Sequence, residues 1–67
     1  MTPQETLGQA ALWLDVNVAR SAPFKERIAS SETDVDKLKI YLEAANQRKK
    51  RPAALCLWIQ EAIEELS

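Results

Sequence analysis

Apolar residues recur along this chain at the spacing of helices, not of strands. Leu7, Ala10, Ala11, Leu14 and Val18 share one helical face. Leu12, Val16 and Ala19 share a second face, and Trp13 lies between the two. Upstream, Thr2-Pro3-Gln4-Glu5 has a capping hydroxyl, a proline suited to the first helical position and an acid placed for a capping box. The pattern predicts a first helix over about residues 3–20, with Arg20 at the end where the helix dipole favours a cation. A helix apolar around so much of its circumference needs cover from more than one side.

Ser21-Ala22-Pro23 breaks the pattern, because proline disfavours a helical residue before it. Phe24 and Ile28 are four apart and predict a short helix ending at Ser30 or Ser31. Ser31-Glu32-Thr33-Asp34 is a second capping signature, and Glu32, Asp34 and Asp36 place negative charge where a helix start prefers it. The stripe Val35, Leu38, Leu42 and Ala45 follows, with Ile40 and Tyr41 on its flanks, and predicts a helix over about residues 32–47. Pro52 opens the last helix, whose stripe is Leu55, Ile59, Ala62, Ile63 and Leu66. Trp58 borders that stripe and Leu57 points nearly opposite to it.

No alternating segment of useful length and no Asn-Gly or Asp-Gly turn is present. The predicted fold is therefore all-α: one helical domain over residues 1–67, a small bundle of three long helices plus one short helix. A chain of 67 residues buries only about 60% of the surface its unfolded form exposes, so stability is marginal without a staple. Cys56 is the only cysteine and there is no histidine, which rules out an internal disulfide and leaves no recognisable metal site. Association is the remaining device. Apolar residues outside the predicted core, namely Leu12, Trp13 and Val16 on the first helix and Leu57 and Trp58 on the last, exceed what one three-helix core needs. They predict a homodimer and are the candidate protein interface.

Composition adds the exclusions. The chain is 46% hydrophobic and 28% charged, which is a folded composition. Its longest apolar run, Ala53 to Ile59, is seven residues, against about 20 for a membrane span. MTPQET lacks the basic and apolar regions of a signal peptide, so a cytoplasmic protein without membrane contact is expected. Without histidine there is no ordinary general base near neutral pH and no Ser-His or Cys-His pair. A lone Gly8 inside a predicted helix makes no phosphate loop. Glu61 and Glu65 share a face, but at a wet helix end they read as a solvated surface. No enzyme and no cofactor are expected.

One charge cluster stands out. Arg48, Lys49, Lys50 and Arg51 are consecutive in a chain of net charge −1. The favoured reading is structural: the run caps the third helix, where cations meet the dipole and the last free carbonyls, and is otherwise a solvated face. The other readings are docking to an acidic protein surface and contact with phosphate. The same run lies at the less favoured end of the last helix, whose far end carries Glu61, Glu64 and Glu65. Two copies of that helix packed antiparallel would bring the cations of one chain to the acids of the other.

IASSETDVDKLKIYL has the outline of a helix-turn-helix, with Lys37, Lys39 and the basic run available for phosphates. Against it, the turn lacks glycine and the reading helix opens with Glu32, Asp34 and Asp36, which would repel phosphates. A pI near 5.3 points the same way. The sequence thus favours a small non-enzymatic interaction protein of regulatory or inhibitory kind. It would act as a homodimer on another, unidentified protein partner. In size and style, though in nothing more specific, it is like many phage- and plasmid-encoded regulators. The alternatives are a DNA-binding transcriptional regulator and a structural subunit of a larger assembly.

Overall fold

The computed structural model describes residues 1–67, and about three quarters of them, 76%, are helical with no strand. The four helices are α1 (Pro3–Asn17), α2 (Ala22–Ser30), α3 (Asp34–Asn46) and α4 (Ala53–Leu66). No helix is long and apolar enough to cross a membrane.

The start of α1 is a complete capping box. The Glu5 amide donates to Thr2 Oγ1 at 3.2 Å, and the Thr2 amide donates back to Glu5 Oε1 at 3.2 Å. Those bonds from the Thr2 backbone and hydroxyl hold the Glu5 carboxyl below its ordinary pKa. Pro3 occupies the first turn, where its missing N–H costs nothing. The helix ends at Asn17, short of the predicted Arg20. The Asn17 side-chain Nδ2 donates to the Trp13 carbonyl at 3.1 Å, and Val18 turns extended, packing partly buried against the core. Arg20 therefore lies outside the helix and caps nothing.

The start of α3 is also displaced from the sequence expectation. Thr33, not Ser31, is the cap, accepting from the Asp36 amide at 3.2 Å. Ser31 belongs instead to the end of α2, as its C-cap residue, with its hydroxyl donating to the Arg27 carbonyl at 2.8 Å. Asp34 and Asp36 occupy the first turn as the dipole prefers.

One apolar cluster joins α1, α3 and α4: Ala10, Leu14, Leu38, Tyr41, Ala44, Leu55, Ile59 and Ala62. Phe24 and Ile28 of α2 only border it, half-buried. α2 buries no residue fully and is held besides by two exposed ion pairs, Lys25–Asp15 and Arg27–Glu43. Gln4 Nε2 donates to Asp34 Oδ2 at 2.9 Å, which ties the first turn of α1 to the first turn of α3. At the other end Asn17 and Gln47, which close these two helices, line a common groove. α1 and α3 therefore run parallel, and α4 packs against both. Thr6, the one buried polar side chain, is accommodated because its hydroxyl donates to the Thr2 carbonyl at 3.2 Å.

Two outcomes follow. Gly8 lies exposed in α1 with negative φ and nothing within 4 Å of an added Cβ. Gly8→Ala should therefore raise unfolding free energy by about 0.5–1 kcal/mol in urea titrations. Tyr41 is buried, and burial, helped by the Asp15 carboxylate and opposed by Lys25, raises its phenol above the ordinary 10.0. Its contribution is then complete below that ordinary value and is lost as pH rises through the raised folded value. In alkaline urea titrations the Tyr41→Phe variant should escape this loss, so the gap between the two proteins changes in its favour from about pH 10 upward.

Candidate functional site

The residues singled out by sequence fall into three places. Leu12 and Val16, one turn apart on α1, point outward and are 59% and 73% exposed. Trp13 is half-buried, its inner side packed on the core. Leu57 and Trp58 lie on the outer side of α4, 54% and 38% exposed, while Leu55, Cys56, Ile59 and Ala62 take the inner side. Arg48, Lys49, Lys50 and Arg51 form the loop between α3 and α4, and all are exposed.

This placement changes the reading of the basic run. The last turn of α3 contains no cation, and its closing carbonyls are met by the backbone amides of Gln47 and Arg48. None of the four cations forms an ion pair within the chain. Their one side-chain hydrogen bond runs from Arg51 Nε to Cys56 Sγ at 3.5 Å.

The parallel course of α1 and α3 brings Trp13 to this loop. Trp13, Asn17, Gln47, Arg48, Lys49 and Lys50 line an open groove of about 600 Å³. A shallower hollow of about 280 Å³, lined by Gln9, Leu12, Trp13, Val16 and Asn17, continues from it along α1. Trp13 and Asn17 border both. One face thus passes from an apolar strip, across an indole, to a cationic loop. Arg51 is turned away, toward Cys56.

No family model, curated protein or solved structure matches this chain.

The lining of the groove offers indole, amides, two ammonium groups and a guanidinium, with no carboxylate, thiol or hydroxyl. These groups donate hydrogen bonds and attract negative charge. Asn17 and Gln47 were not identifiable beforehand as site residues. Asn17 lies one turn after Trp13, but Gln47 reaches it only through the packing of α1 on α3.

The α2–α3 unit has the three-residue connection, residues 31–33, of a helix-turn-helix. The exposed side of α3 carries Asp36, Lys39, Glu43 and Asn46, and Arg27 of α2 already engages Glu43. Asp34 and Asp36 open the first turn of α3, and Lys37, 4.0 Å from Asp34, is drawn to that acid, so the turn offers an approaching phosphate no free cation.

Because Arg48, Lys49 and Lys50 cap nothing and pair with nothing, changing all three to Ser should leave stability within about 0.5 kcal/mol of the parent in urea or thermal unfolding. A structural cap would instead show a loss of about 1 kcal/mol or more.

Proposed function

We propose that this chain is a small non-enzymatic interaction protein that associates with itself and docks another protein, in a regulatory or inhibitory role. The observation that carries the reading is Trp13, shared by an apolar strip and a cationic groove that no acid of the chain neutralises. Tryptophan beside arginine, with an apolar margin, is the composition of energetic centres in protein interfaces. The complementary partner surface is an acidic amphipathic helix: aliphatic side chains on Leu12 and Val16, carboxylates on Arg48, Lys49 and Lys50. The groove holds no group able to act as base or nucleophile near neutral pH, which favours binding over catalysis.

Transcriptional regulation through DNA draws less support, because the exposed side of α3 is acid-rich and the basic loop lies off that helix. The subunit reading shares the same exposed apolar strips, and it predicts a chain that is insoluble or disordered alone.

The test is fluorescence anisotropy of a labelled acidic amphipathic peptide, run beside an oligo-dT strand and a random duplex. The peptide should bind, and Trp13→Ala should weaken it by about 30-fold, the size of an interface centre. The triple Ser variant at Arg48, Lys49 and Lys50 should weaken it further at low salt than at high salt. Peptide binding indifferent to both variants, or tighter binding of either nucleic acid, overturns the proposal.

A further inference from the structure

We propose that the outer face of α4 is the seam of an isologous antiparallel homodimer, with Leu57 of one copy packed on Trp58 of the other, Arg51 facing Glu64 and Lys50 facing Glu65. This rests on the self-association in the reading above and names its surface, which shares only Lys50 with the Trp13 groove.

The reason begins with the charge order of α4. Cations stand at its N-terminal end and Glu61, Glu64 and Glu65 toward its C-terminal end, with no acid in its first turn and no base in its last. Both placements oppose the helix dipole. Arg51, Lys50, Glu61, Glu64 and Glu65 also lack any ion-pair partner in their own chain. An arrangement unfavourable in one copy becomes favourable in two, because an antiparallel neighbour sets each acidic end against the other's basic end.

Between those ends the exposed side of α4 carries an apolar strip, Ala54, Leu57 and Trp58, over about the central turn, with Leu57 about half and Trp58 a little over a third open to solvent and Gln60 and Glu61 beside it. Around a two-fold axis midway between Leu57 and Trp58, each Leu57 lies opposite the partner's Trp58. The same axis places Ala54 opposite the partner's Glu61 and brings the loop just ahead of α4, which carries Lys50 and Arg51, to the partner's Glu64 and Glu65, with Arg51 exchanging its 3.5 Å contact with Cys56 Sγ for a carboxylate. The small Ala54 allows close approach near the middle, and the aliphatic stem of Glu61 can lie over it while its carboxylate reaches toward the partner's Arg51. Hydrophobic centre, charged rim and mirror-ordered charge are what a self-complementary surface requires.

The α4 surface is small. A single helix of about 21 Å paired with its copy falls short of the roughly 1,200 Å² of a stable standard interface, so the dimer should be weak and salt-sensitive.

The experiment is sedimentation of the full chain across concentration and ionic strength, with far-UV circular dichroism confirming that each variant is folded. The parent should show a monomer–dimer equilibrium that shifts toward monomer as salt rises. Arg51→Glu and Glu64→Arg should each weaken the dimer about 10-fold, since every substitution counts twice across a two-fold axis. The double variant should restore it to near the parent value. Trp58→Ala should weaken it at all salt concentrations, and Leu12→Ser with Val16→Ser should not. With Ala54→Cys and Glu61→Cys in one chain, mild oxidation should yield a covalent dimer, because the two positions are too far apart along α4 to bridge within a copy.

A chain that stays monomeric at the highest attainable concentration overturns the proposal. So does a double charge reversal that fails to restore association, or a dimer abolished by the Leu12 and Val16 changes. A monomer that still binds the acidic peptide removes the seam and leaves the Trp13 reading standing. A dimer that ignores the peptide does the reverse.

Discussion

The close crossing of α1, α3 and α4 is the constraint from which the rest follows. Ala10, Ala44 and Ala62 lie in the shared core, and such small side chains let helix axes approach nearer than larger ones allow. Leu14, Leu38, Leu55 and Ile59 then fill what space remains. A single core shared by three helices covers one face of each, and larger apolar residues on other faces, Leu12, Val16 and Leu57 among them, are left in solvent. Their exposure is what makes a partner energetically useful.

How much of this was legible in the sequence depended on range. The capping box at Thr2 and Glu5 was readable because all its bonds lie within one turn. The break at Pro23 was readable because it rests on the φ restriction of a single residue. Helix ends were less so. Ser31 and Thr33 are both competent caps by type. The choice fell to Thr33 because the preceding helix runs on to Ser30 with Ser31 as its C-cap, so the next helix starts only at Asp34. α1 stops at Asn17, where Val18 turns extended and packs partly buried against the core, an outcome set by tertiary contact that no residue type announces.

The candidate surface divides in the same way. Helical spacing placed Leu12, Val16 and Leu57 correctly on outer faces, since that needs only the period of the helix. The basic run was read as the tail of the third helix, and here the local rule misled. Backbone amides of Gln47 and Arg48 closed the helix first, leaving the cations in a loop. That the loop would meet Trp13 could not be read at all. It depends on α1 and α3 running parallel, a property of tertiary packing that leaves no mark on either segment alone.

α2 stands apart from the other helices in the way it is attached. With no fully buried side chain, it holds on by the edges of Phe24 and Ile28 and by two water-exposed ion pairs. Attachments of that kind are screened by ions and replaced by solvent at little loss. Deuterium should therefore enter the amides of residues 22–30 by local opening ahead of those of the other helices, with little dependence on salt, because the exposed ion pairs contribute so little.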